Sequence, residues 1–202
     1  CVTSDYCPSC GREAGLYSTV GDTCRICRKN EFSFEAIARA GIYKDTLRDL
    51  ILKFKFSDSA EFAPLLAKLC ESALAGSEFV NEIDLFVPVP LHWKRRLLRG
   101  YNQSLLLCKA MPCAKKRISN DLVRVKNTPQ QTTLTLAGRK KNVKGAFAVR
   151  PDHKFQDAAI CLVDDITTSR STLHACALTV KRAGAKKVFA LTVSTAMHDP
   201  LE

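Results

Sequence analysis

Apolar residues recur along the chain with two periods. In TLRDLILKFKF (46–56), Leu47, Leu50, Ile51 and Phe54 fall at i, i+3, i+4 and i+7, one face of a helix, which puts Lys53 and Lys55 outside. EFAPLLAKLCESAL (61–74) repeats the pattern with Phe62, Leu65, Leu66, Leu69 and Ala73. Both read as core helices with no chemistry required of them. Short apolar runs read as buried strands: IDLFVPVP (83–90), stopped by two prolines, AAICLV (158–163) and KKVFALTVST (186–195). FSFEAIARAGIYKD (32–45) alternates weakly, as strand or hairpin. QSLLLCKA (103–110), with Asn102 as its cap, and STLHACALTVKRAGA (171–185), ending near Gly184, read as helices. Strand, helix and strand from 158 to 195 make a βαβ unit, right-handed by default. The body of the chain therefore predicts an α/β fold. The basic stretch LHWKRRLLRGYNQS (91–104) becomes a loop at the C-terminal edge of its sheet, where open α/β folds bind ligands. His92 and Trp93 are expected to pack that loop. The polar, basic segment LVRVKNTPQQTTLTLAGRKKNVKGAFAV (122–149) predicts some paired strand and a long mobile loop.

The first 34 residues have a different character and read as a separate module, ahead of a domain spanning 35–202. Two C-x-x-C pairs, Cys7/Cys10 and Cys24/Cys27, are separated by thirteen residues that include three glycines. Four thiolates suit a tetrahedral Zn²⁺, and with all four positions taken by cysteine the site is structural rather than catalytic. The alternative, two redox dithiols, needs a βαβ context that this stretch lacks. A segment this short and polar is expected to need its metal to fold. The other cysteines lie mostly in apolar or helical contexts, and the usage fits a reducing cytoplasm. The chain opens at Cys1 without a methionine, so residues are expected ahead of it. No apolar run approaches the roughly 20 residues that span a bilayer, so an integral membrane protein is not expected.

Charge changes the picture by where it lies. Of a net +11, fifteen Lys and Arg against one acid, Asp121, fall between Lys94 and Arg150. That block carries +14 and the remainder −3. It points to a phosphate-bearing partner, nucleic acid or a polyphosphate metabolite, with a merely solvated face as the alternative.

CLVDDITTSRST (161–172) combines three kinds of group. A strand is expected to end at Val163, the acids Asp164 and Asp165 follow, then Thr167, Thr168, Ser169, Ser171 and Thr172 around Arg170, with a helix starting near Ser171. Amides at a helix start and hydroxyls suit a phosphate. The acids would repel it, but they suit sugar hydroxyls or Mg²⁺. A ribose 5-phosphate satisfies both halves. Helix capping is the local alternative.

LVDDITTSRSTL resembles the ribose-phosphate motif of phosphoribosyltransferases. The double C-x-x-C, YKDTLRDLILKFKF, VPVPLHWKRRLLRGYNQS, RVKNTPQQTTLTLAGRKKNVKGAF and LVDDI together resemble the ComF family of competence-associated proteins, in family order and over nearly the whole chain. The resemblance implies a zinc ribbon joined to a Rossmann-like parallel sheet of the phosphoribosyltransferase type. It implies binding of 5-phosphoribosyl 1-pyrophosphate, with Mg²⁺. Asp164 and Asp165 would be the catalytic pair, holding the ribose 2- and 3-hydroxyls. Thr168, Ser169, Arg170, Ser171 and Thr172 would surround the 5-phosphate, and Arg99 and Gly100 would lie against the pyrophosphate. Arg139 and Lys140 would belong to a flap over it. Single-stranded DNA, handled during natural transformation, is the second implied partner, with Lys94, Arg95 and Arg96 as its contacts. Other competence or DNA-processing proteins are further candidate partners. The implied alternative is an active transferase acting on a nitrogen acceptor. One departure stands out. Family loops read TTGAT or TTGST, and this chain reads TSRST, with Arg170 in place of glycine. The arginine either adds a cation to the phosphate site or obstructs it.

Overall fold

A computed structural model describes residues 6–13, 19–20, 23–24, 27–29, 32–56, 59–115, 117–128, 138 and 142–196. In chain order the elements are β1 (Thr19–Val20), β2 (Thr23–Cys24), β3 (Ile37–Ile42), α1 (Asp45–Phe56), α2 (Ala63–Ala75), β4 (Leu85–Pro88), α3 (Trp93–Arg99) and α4 (Gln103–Ala110). They continue with β5 (Leu122–Arg124), β6 (Phe147–Val149), β7 (Ala159–Thr167), α5 (Ser171–Arg182) and β8 (Lys187–Thr195).

Strands β3, β8, β7 and β4 form one sheet in that order, every neighbour parallel. Parallel strands covered on both faces are apolar on both, which is why their sequences lack alternation. Cys161 and Val163 of β7 and Phe189, Leu191 and Val193 of β8 share a core with Leu66 and Cys70 of α2 and Leu107 and Cys108 of α4. Ile160 and Leu162 of β7 and Val188 and Ala190 of β8 share the opposite core with Leu173, Cys176 and Val180 of α5. The antiparallel pair β5–β6 joins that second core through Leu122 and Phe147. The expected mixed α/β architecture is present as a three-layer sandwich.

Four expectations need correction. The buried stripe of α2 is Ala63, Leu66, Ala67, Cys70, Ala73 and Leu74, while Leu65 is 47 % exposed. Small residues let the helix lie close to its neighbours, and the pattern of large residues pointed elsewhere. Residues 93–99 form a short helix, not a loop. His92 caps it, Nδ1 accepting from the Lys94 amide at 3.4 Å. His92 is buried as expected, but Trp93 is 60 % exposed. The third correction concerns β7, which does not stop at Val163. It pairs with β8 through Asp164↔Thr192, Ile166↔Ser194 and Thr167↔Thr195, so both acids belong to the strand. Lastly, Lys55 does not point outward. It lies four residues after Ile51, on the packed side of α1, and folds onto Asp165.

The N-terminal cysteine module rests on the ends of β3 and β8. The Ile37 amide donates to the Pro8 carbonyl at 2.8 Å. Gly11, at φ +69, packs so closely that a Cβ would lie 3.0 Å from Thr195 Oγ1. Among the described residues no helix is long and apolar enough to cross a membrane.

Candidate functional site

A pocket of about 280 Å³ opens at the C-terminal ends of β4 and β7. Strand β7 delivers Asp164 and Asp165, α1 delivers Lys55, α3 Arg95 and Arg99, β5 Arg124, and the turn into α5 Thr168 and Thr172. Neighbouring strand residues project to opposite sides, so the two carboxyls find different partners. Asp165 Oδ2 pairs with Lys55 Nζ at 3.3 Å. Asp164 Oδ1 accepts from Ser104 Oγ at 3.1 Å and from the Asp165 amide at 3.0 Å. Burial first, and then the charge of Asp165, push the Asp164 carboxyl up to about 7, against the pull of Lys55 and of these two hydrogen bonds.

The stretch RGYNQS wires this edge together. Gly100, at φ 77, turns the chain out of α3. Tyr101 Oη donates to the Phe54 carbonyl at 2.7 Å and Gln103 Nε2 to the same oxygen at 3.5 Å, fixing the end of α1 beside Lys55. Asn102 Nδ2 donates to the Val89 carbonyl beyond β4 at 3.1 Å, while its Oδ1 accepts the Ser104 amide at 3.0 Å as the expected helix cap. Arg95 Nη2 donates to the Thr128 carbonyl and Arg124 Nη2 to Thr128 Oγ1. Burial lowers the pKa of both arginines.

The residues singled out in the sequence separate into groups. Asp164, Asp165, Thr168, Thr172 and Arg99 share the pocket, and Arg95, expected on a DNA surface, joins them. Lys94, Arg96 and Gly100 are exposed beside Trp93. Ser169 and Ser171 line a second cavity of about 320 Å³ with Phe32, Phe147, His174 and Leu178. There Ser169 Oγ donates to Ser171 Oγ at 2.9 Å. Arg139 and Lys140 lie outside the described residues. Arg170 takes the left-handed conformation, φ 60 and ψ 0, that a glycine would adopt freely. Its side chain turns away from the pocket: Nε donates to the Cys10 carbonyl at 2.9 Å and Nη1 to the Thr168 carbonyl at 2.6 Å. Sequence reasoning missed Lys55, Arg124, Tyr101, Gln103 and Ser104. Only Lys55 left a local signal, a cation on the apolar side of its helix.

Cys7, Cys10, Cys24 and Cys27 are buried with their sulfurs within 4.8 Å of one another. Cys7 and Cys27 sulfurs are 3.8 Å apart and those of Cys10 and Cys24 3.6 Å. The edge of a tetrahedron with Zn–S bonds of about 2.3 Å is about 3.8 Å, so the set fits Zn²⁺. The Cys24 amide donates to Cys7 Sγ at 3.4 Å. The neighbouring thiols, Cys10 first and then Cys27, favour the Cys7 thiolate, whereas Cys10 and then Cys7 push the Cys27 thiol up. A divalent cation would let all four ionise together. Two buried arginines beside the cluster make the same demand. Among the described residues no nitrogen of the Arg39 guanidinium has a hydrogen-bond partner, and neither does Arg170 Nη2. Buried cations left this way call for negative charge nearby, which four thiolates around one divalent ion provide.

No family model matches the chain. Individual proteins do. It is 31 % identical over 189 residues to competence protein F of Haemophilus influenzae, covering 91 % of this chain and 81 % of that one. It is 32 % identical to the DNA utilization protein YhgH of Salmonella typhi, covering 90 % and 80 %. Competence protein ComFC of Bacillus subtilis matches at 26 % identity over 86 % and 70 %. With near-complete overlap at such identities, and the four cysteines gathered ahead of a parallel α/β sheet, the chain belongs to the ComF family.

Proposed function

We propose that the protein serves a competence or DNA-utilisation role, binding 5-phosphoribosyl 1-pyrophosphate in the β4–β7 pocket and single-stranded DNA on its basic surface. The observation that carries the reading is the pairing, in one pocket, of two adjacent carboxylates with Lys55, Arg95, Arg99 and Arg124. Carboxylates accept from ribose hydroxyls, cations meet a pyrophosphate, and Thr168 and Thr172 at the start of α5 meet a 5-phosphate. Asp164 and Asp165 are also the residues that would hold Mg²⁺ beside the pyrophosphate, where the ion would spread the charge of the leaving group. The names of the relatives support the DNA-related role. Lys94 and Arg96 beside exposed Trp93 offer cations and a stacking ring to a single strand.

Calorimetry with the pyrophosphoryl donor and Mg²⁺ tests the pocket. Wild type is expected to bind. The Asp164→Asn/Asp165→Asn double variant is expected to bind at least about tenfold more weakly. Equal binding by both would remove the donor from this pocket. A second reading, transfer of the ribosyl phosphate to a nitrogen acceptor, is favoured by the concentration of cations where a pyrophosphate would leave. Pyrophosphate release against a panel of amines and bases decides it. Release with one acceptor establishes transfer, and none with any leaves a binding site.

A further inference from the structure

Arg170 touches two parts of the molecule that the sequence keeps far apart. Its side chain is 4 % exposed and spans the Cys10 carbonyl of the cysteine module and the Thr168 carbonyl of the turn before α5. The third guanidinium nitrogen, Nη2, has no partner among the described residues. Arg39 on β3, 1 % exposed, lies over the Tyr6 ring at 4.7 Å and is equally without hydrogen bonds among the described residues. Both cations lie against the cluster: Arg170 bonds the carbonyl of Cys10, and Arg39 packs beside Gly11, the residue that follows it.

Two buried guanidinium ions beside neutral thiols would be costly. Beside a dinegative tetrathiolate centre they are counter-ions. Arg170 also holds a left-handed backbone conformation, a strain for an L-residue that glycine would not incur. A side chain that made no bonds of its own would leave that strain uncompensated. The bonds to Cys10 and Thr168 offset it.

We propose that Arg170 is a positioning residue that couples the metal centre to the pocket, with Arg39 as the second counter-ion. Metal at the four cysteines fixes the Cys10 carbonyl. That carbonyl fixes the guanidinium, and the guanidinium holds Thr168 and the turn into α5 in the shape that presents Thr168 and Thr172 to the pocket. Loss of the metal by chelation releases the turn. The inference concerns the turn itself and does not depend on which ligand the pocket takes.

Hydrogen exchange on the full chain tests it, read by peptide mass with metal bound and after chelation under reducing conditions. Chelation is expected to speed exchange at residues 168–174 of wild type at least about tenfold, with α2 and α4 unchanged. In Arg170→Gly, whose backbone suits the turn, exchange there is expected to be the same with and without metal. That variant is also expected to yield its zinc to a chromophoric chelator at about tenfold lower concentration, the usual scale for an outer-shell partner. Arg170→Lys keeps the charge but cannot bridge both carbonyls, so it should hold zinc better than Arg170→Gly and still lack the coupling. Three results would overturn the proposal: a wild-type turn indifferent to metal, exchange rising equally in α2 and α4, or an Arg170→Gly variant with both wild-type zinc retention and a wild-type response.

Discussion

At Asp164, desolvation and the neighbouring Asp165 act together against ionisation, and the result is a carboxyl raised to about 7. An acid whose folded pKa exceeds its unfolded value near 3.9 stabilises the fold fully below about pH 4. That contribution is lost as pH climbs through 7. Asn at this position keeps an oxygen for Ser104 and for the Asp165 amide but never ionises. Urea unfolding should therefore find Asp164→Asn as stable as wild type at pH 4 and more stable at pH 8, by on the order of 2 kcal/mol. A gap independent of pH would mean that the strand end does not oppose the charge. Sugar hydroxyls need the ionised form, so donor affinity should rise between pH 6 and 8 in wild type. The two acids were legible in the sequence because they interrupt an apolar run. Lys55 was read as solvent-facing together with Lys53, because two lysines in a last helical turn look like dipole-compensating cations, which outweighed its position four residues after Ile51 until its partner from β7 came into view.

Among the elements, α1, β4 and α4 meet at one knot of side chains. Tyr101 and Gln103 both donate to Phe54, and Asn102 reaches back to Val89. Tyr101→Phe removes the shorter of the two bonds to Phe54 and keeps the ring against its phenyl group, 5.8 Å between centroids. It should cost about 1 kcal/mol in urea unfolding and weaken donor binding several-fold by freeing the end of α1 that carries Lys55. Unchanged donor affinity alongside the expected loss of stability would show that α1 does not position the pocket. Helix α4 was legible through its cap at Asn102 and α5 through its stop near Gly184. Helix α3 was not, because Leu97 and Leu98 are 75 % and 86 % exposed and no residue of it is buried. A helix that buries nothing leaves no periodic trace. The extension of β7 past Val163 was hidden for a related reason: cross-strand pairing with β8 holds it there, and two successive aspartates disfavour a strand on propensity alone.

At the scale of the molecule, the charge asymmetry and the cysteine spacing could be read directly, because each is a local or additive property. The meeting of α1, α3, β5 and β7 around one pocket could not, since it joins residues as distant as Lys55, Arg124 and Asp165. Arg170 was flagged as the odd residue of its loop, but the direction of its side chain depended on where the cysteine module docks. For the basic surface, anisotropy with labelled single-stranded DNA should show affinity falling steeply with salt. The Lys94→Ala/Arg96→Ala pair should lower the log–log slope by about 1.4, near 0.7 for each phosphate that is no longer neutralised. A slope unmoved by the pair would take the strand elsewhere. The central claim is that the twin aspartates and the turn after them hold a ribose 5-phosphate. Its most direct test is a crystal structure with the pyrophosphoryl donor and Mg²⁺. The account predicts ribose hydroxyls on Asp164 and Asp165, the 5-phosphate against Thr168 and Thr172, and Arg170 still bound to Cys10. Donor density in the Phe32–Leu178 cavity instead, or the Arg170 guanidinium swung across the β4–β7 pocket, would contradict it.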